Sequence, residues 1–137
     1  MTPRDRAVVA AARGVIGARF RVQGRDPAFG LDCVGVVAVS LRGAGYAGAI
    51  PGDYALRGGC VTEIVARFNA AGLERGTTAM PGGIALFDAG CRQWHLAVIV
   101  PGGIVHADAM LRRVVERPGP PPWTLIGCWH LQDDRGE

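Results

Sequence analysis

The chain has 137 residues, 49% hydrophobic and 20% charged, with a net charge of +3. That size fits a single domain, residues 1–137, around one core. No apolar run reaches the ~18 residues of a membrane span. The basic residues are scattered arginines with Arg112-Arg113 as the one pair, so neither a membrane span nor a nucleic-acid footprint is expected.

The start, Met-Thr-Pro-Arg-Asp-Arg, carries both signs of charge and lacks the apolar core of a signal peptide. Synthesis in a cytoplasm without the standard secretion route is the expectation. A first helix follows from Thr2 as cap, Pro3 in the first turn and Asp5 completing a capping box. Val8, Ala11, Ala12 and Val15 form its apolar face, and Gly14 or Gly17 ends it. Residues 17–30 are turn-rich and read as a loop leading to Cys33. The run from Cys33 to Leu41 reads two ways. Its β-branched residues favour a strand, whereas Asp32 as N-cap and Gly43 as a stop favour a helix. Residues 43–59 hold six glycines and read as a long loop. A second helix is expected over 61–71, burying Ile64, Val65, Phe68 and Ala71, with Gly72 after it. Strands are expected at Ile84–Phe87, His95–Val100, Ile104–Ala107, Arg113–Glu116 and Thr124–Trp129. Helices first and an antiparallel meander afterwards make an α+β domain with a polar end, Asp133–Glu137.

The four cysteines form no C-x-x-C pair and are too sparse for a disulfide scaffold. Cys60, Cys91 and Cys128 read as small apolar fillers or free thiols. Cys33 differs, because it follows the acidic Asp32 at the mouth of a long apolar run. His95 opens the run Leu96–Val100, and His106 closes Ile104-Val105. A thiol, a base and an orienting group at the ends of three buried elements are the parts of a cysteine hydrolase. A helix N-terminus and a neighbouring imidazolium both lower a thiol pKa. Cys33 is therefore expected to be the fastest-alkylated thiol below neutral pH. One Cys and two His also suit zinc, but no fourth ligand is evident, so neither metal nor cofactor is expected. Asp32 caps the helix, binds a substrate amine, or does both. Trp94, Trp123 and Trp129 read as core or rim, and Asp108 as a turn residue or a substrate contact.

The bend Val100-Pro101-Gly102-Gly103 carries a type II turn signal. A two-residue loop there sets His106 opposite Ala97, on the same face as His95 and about 7–8 Å from it diagonally. A three-residue loop sets it on the wrong face unless a bulge restores it.

Leu31-Asp32-Cys33-Val34-Gly35, Gly83–Phe87, His95–Ile99 and Val105-His106-Ala107 resemble the successive motifs of the NlpC/P60 peptidases, in order and rough spacing. That resemblance implies a papain-like α+β fold with N-terminal helices packed on an antiparallel sheet, and a helix starting at Cys33. It implies Cys33 as nucleophile, His95 as base and His106 as the third residue. It further implies hydrolysis of peptidoglycan stem peptides, typically between D-glutamate and a diamino acid, with no metal. Arg21-Val-Gln-Gly-Arg-Asp-Pro is similar to members of phage tails and gene transfer agents. The implied partners are tail-hub or baseplate proteins, and the implied place of action is the periplasm or cell wall; the 43–59 loop and Pro118–Pro122 are the surface segments expected to meet such a partner. Three positions depart from the pattern. Val34 replaces a common Ser that helps bind substrate. Phe20 replaces a Tyr at the oxyanion and substrate side, a loss of about 3 kcal/mol if nothing substitutes. Gly82-Gly83 replaces Gly-Asp. The alternatives are a structural tail-hub component with a weak or inactive site, and a related acyl-transferase or amidase.

Overall fold

The computed structural model describes residues 1–52, 56 and 58–132. The rest of the 43–59 loop and the end Asp133–Glu137 lie outside the described residues.

Helix α1, Pro3–Arg13, has the expected capping box: Thr2 Oγ1 accepts from Asp5 N, and Asp5 accepts from Thr2 N. Such a cap contributes about 1 kcal/mol. Of the two stops, Gly14 ends it. The strand-or-helix ambiguity resolves as helix α2, Cys33–Gly43, whose branched residues pack in the core instead of pairing in a sheet. Helix α3 spans Val61–Ala70 and buries Ile64 and Phe68.

Strands β1 (Arg25–Asp26) and β2 (Gly30–Leu31) form a small hairpin inside the segment expected to be loop. Two-residue strands leave no alternation to read. The main sheet consists of β3 (Glu74–Gly76), β4 (Ile84–Asp88), β5 (Trp94–Val100), β6 (Gly103–Asp108), β7 (Arg113–Pro118) and β8 (Thr124–His130). Its order is β3-β8-β4-β5-β6-β7, and every pairing is antiparallel. The five long strands match the sequence pattern within two residues at each end. The short edge strand β3 has none.

The helices cover one face of the sheet. Val36, Val37 and Leu41 of α2 and Phe68 of α3 pack there with Leu86, Leu96, Val98, Val105 and Trp129. The other face buries Ala85, Phe87, Ala97, Ile99, Ile104 and Cys128. Backbone also packs on backbone near Cys33. A Cβ on Gly35 of α2 would collide with the Gly24 carbonyl, and one on Gly24 with that of Gly30. The β1–β2 hairpin therefore lies directly on the first turn of α2, an approach only glycine allows. Among the described residues, no helix is long and apolar enough to cross a membrane.

Candidate active site

Asp32 is a true N-cap. Its Oδ1 accepts from Gly35 N at 2.8 Å and from Arg25 Nη1 at 2.7 Å, and its Oδ2 accepts from Gln23 N at 2.9 Å. The carboxylate ties the hairpin to the helix and spends most of its acceptor capacity doing so. Cys33 follows as the first helical residue and is buried. The N–H groups of Cys33 and Val34 have no acceptor within the helix, because they belong to its first turn. Both interact favourably with the thiolate, as does the Leu96 N–H.

That last contact explains how a helix on one face reaches residues on the other. Ile99 bonds to Gly82 and Gly83 on the β4 side, so by alternation Leu96 directs its N–H toward β6. Strands β5 and β6 pair only at Val98–Val105, Ile99–Ile104 and Val100–Gly103. Beyond Val98 and Val105 they run on unpaired. The thiol fills the place at Leu96 that a β6 carbonyl would otherwise take.

The β5–β6 bend is the expected two-residue loop, with Val100 opposite Gly103 and Gly102 at φ +83°, as a type II turn requires. Extended by one step, the register sets His106 across from Ala97. The two histidines share a face: His95 Nε2 and His106 Nδ1 are 2.8 Å apart, with ring planes at 90°. This leaves His95 Nδ1 as the ring atom free to serve a thiol. His106 is 3% exposed, and its Nε2 is buried without a partner. Cys33 and His95 make no direct hydrogen bond. They are neighbours through Leu96, the residue after His95.

Burial pushes the Cys33 thiol up to about 12, and the Asp32 charge adds to it. The N–H groups of Leu96, Val34 and Cys33 oppose the rise but do not outweigh it. Burial, then the His106 charge, depresses His95 to about 4 against an opposing pull from Asp108. His106 is also lowered, by burial first and by Arg117. The resting site therefore holds a neutral thiol and neutral imidazoles. Burial thus works against the expected thiolate–imidazolium pair and against easy ionisation of Cys33. Desolvation at a buried helix start exceeds the helix-end effect. The thiol that is lowered is Cys60, exposed at the N-cap of α3 and held by the Thr62 hydroxyl at 2.8 Å.

Phe20 forms an isolated bridge with Leu31, two residues before Cys33, and packs against the core. Its ring has no hydrogen-bond donor. Asp108 Oδ1 accepts from Met110 N and Leu111 N, the turn role among its two readings. Trp129 is core and bonds Asn69 through its indole N–H at 2.9 Å. Trp123 was not legible as part of the site, yet it contacts both histidine rings. Proline spacing before it hid that placement. Sequence reading also missed that Cys128 Sγ lies 3.5 Å from His130 Nε2. An i, i+2 pair on a strand is the signal that would have shown it.

No protein-family model matches the chain, and no curated protein matches it. Solved structures do. The structure of NlpC1 from Trichomonas vaginalis is similar with a TM-score of 0.69 at 15% identity, over 93% of this chain and 43% of that one. The P60 domain of the M. avium subspecies paratuberculosis antigen MAP1204 is similar at 0.59 and 16%, over 93% of both chains. The NlpC/p60 domain of the peptidoglycan hydrolase SagA is similar at 0.58 and 22%, over 83% of this chain and 88% of that one. This chain thus spans less than half of the Trichomonas protein but most of the other two. Three helices on an antiparallel six-stranded sheet, arranged as in these domains, give the chain the papain-like α+β fold of NlpC/P60 proteins.

Proposed function

We propose that the protein is a cysteine peptidase that hydrolyses amide bonds in peptidoglycan stem peptides. The observation that carries this reading is the His95 Nε2–His106 Nδ1 bond of 2.8 Å. It orients a base whose other nitrogen is free, next to a helix-start thiol. Cys33 Sγ attacks the scissile carbonyl carbon while His95 Nδ1 takes the thiol proton. The oxyanion forms beside the free N–H groups of Cys33 and Val34, donors that offset the missing hydroxyl at Phe20. His95 then protonates the departing amine, leaving a thioester. Water, deprotonated by His95, hydrolyses the thioester and frees the thiol. Because the resting pair is neutral, proton transfer accompanies attack and does not precede it.

The resemblance of the motifs and the SagA domain's description as part of a peptidoglycan hydrolase support the substrate class. The D-glutamyl–diamino acid bond is the proposed point of cleavage. A phage-tail-like or gene-transfer-agent particle, held by tail-hub or baseplate contacts and acting at the cell wall, is the proposed setting. Asp32 and Phe20 are the proposed substrate-side residues, Asp32 through whatever acceptor capacity its three bonds leave. A second reading, a tail component with a weak site, is favoured by one observation: Cys33 and His95 do not bond directly. Digestion of purified peptidoglycan by the wild type and Cys33→Ala, with mass analysis of the fragments, separates the two. New fragments from the wild type alone support the peptidase and name the bond. Their absence from both leaves the structural reading.

A further inference from the structure

Trp123 is not part of the expected triad, yet its ring packs against both of the triad's histidines. Its ring centroid lies 4.8 Å from that of His95 and 5.6 Å from that of His106, edge-on at 64° and 73°. Phe87 supports it from the sheet at 5.7 Å, and the Arg117 guanidinium lies over the indole at 6.0 Å. The backbone aims it there. Leu86 pairs with Gly127 but Phe87 pairs with Leu125, so Ile126 is a bulge in β8. An extra residue reverses which side chains face which side. Leu125, and Trp123 two residues before it, thereby fall on the Phe87–His95 face. The preceding Pro120-Pro121-Pro122 restricts the approach to Trp123.

We propose that Trp123 is a positioning residue for the histidine pair, an indole wedge that holds His95 against His106 and keeps water from their hydrogen bond. The proposal rests on the reading of His95 as the base. One hydrogen bond fixes one ring nitrogen but leaves the imidazole free to rock about it. The indole edge blocks that motion. His106 Nε2 is buried and unpartnered; water admitted there would supply a rival partner and let the ring turn. A dry bond is also a stronger one. The groups that act on His95 are His106 and Asp108 from β6, with Arg117 of β7 acting on His106. Cys33 comes from α2. Asp88 ends β4 opposite Trp94 and turns its Oδ1 to Gly90 N. The 118–124 segment brings no titratable side chain. Removing Trp123 thus changes the solvation of His95 without removing a charge.

The test is proton NMR titration of the three histidines in the full chain, alongside the pH dependence of kcat/KM on stem peptide. Trp123→Ala should raise the His95 midpoint by about one pH unit or more toward its ordinary value. It should lower kcat about tenfold with KM little changed, and shift the acid limb of kcat/KM upward with the titration. Trp123→Phe should restore most of the effect. If Trp123→Ala does not fold, Trp123→Leu, apolar but without the flat edge, serves with the same expectation at smaller size. A folded variant with an unmoved His95 midpoint overturns the proposal, as does an activity loss equal at every pH. If the wild type cleaves nothing, the peptidase reading fails while the titration still decides the role of Trp123.

Discussion

Two helices in this molecule begin at a cysteine, and the two thiols have opposite character. Cys33 is the first residue of α2 and Cys60 occupies the N-cap position of α3. Both face the first-turn N–H groups of their helices. Cys60 is exposed and its pKa is lowered. Cys33 is buried and raised to about 12. The helix end is common to both, so it does not set the difference; solvent does. The easily ionised thiol has no imidazole near it. The thiol beside the histidine pair is held neutral, so in the proposed mechanism its activation falls to the base. Cys128 and His130 make the same point from the other side. Their atoms are in contact at 3.5 Å, but Cys128 lies inside β8, paired with Ala85 and Gly76 on its two sides. The Met80 N–H lies by that thiol, but burial outweighs it and pushes the Cys128 pKa up.

The largest effect tests which helix start carries the chemistry. Cys33→Ala should reduce peptidoglycan cleavage by a factor of about 10³ or more, to the level left by binding alone. Cys60→Ala and Cys128→Ala should cleave at the wild-type rate. Equal loss in Cys33→Ala and Cys60→Ala would break the comparison. His106→Ala should come next, with a loss of about 10²-fold in kcat, since it orients the base without itself reacting. Its KM should be close to that of the wild type. A kinetic split of this kind is read from initial rates on a soluble stem peptide.

Much of this arrangement was legible in the sequence. Helices α1 and α3 and the five long strands carried their periodicity openly. The Pro101-Gly102 turn set the register that brings the histidines together, and the structure adopts it. What was not legible depends on solvent and on neighbours far along the chain. Whether Cys33 to Leu41 forms helix or strand depends on which surface its valines meet. The sign of the Cys33 shift depends on burial, which no local pattern reports. Trp123 joins the site only because Ile126 bulges, and a single extra residue in a strand has no compositional mark.

A smaller effect concerns pH. His95 has an ordinary value of 6.5 and a folded value of about 4. Its neutral form is favoured in the fold, so the unfolded chain binds more protons between those values. Stability is therefore full above about 6.5 and falls as pH drops toward 4, by about 3 kcal/mol from this group. His106, lowered in the same direction, adds to the loss. Denaturant melts at pH 7 and pH 4.5 should show it, and a His95→Gln variant should show less. Activity should follow the same sign: the acid limb of kcat/KM should lie below pH 6.5, because protonating His95 removes the base. A limb at or above 6.5 would mean that the histidines are not buried in solution.

The last prediction needs no substrate and changes only the order of labelling. At neutral pH and with limiting iodoacetamide, Cys60 should be modified before Cys33. Cys60 is exposed and holds a larger thiolate fraction, because the Thr62 hydroxyl and the N–H groups of Thr62 and Glu63 stabilise its anion. Cys33 is 7% exposed and holds almost none. Alkylation rates follow thiolate fraction and access together, and both point the same way. Peptide mapping after short exposures reads the order directly. A Thr62→Val variant should slow Cys60 modestly and leave Cys33 untouched. Cys33 labelled first would mean that the site opens in solution and pairs its thiolate with His95, and the contrast between the two helix starts would then reverse.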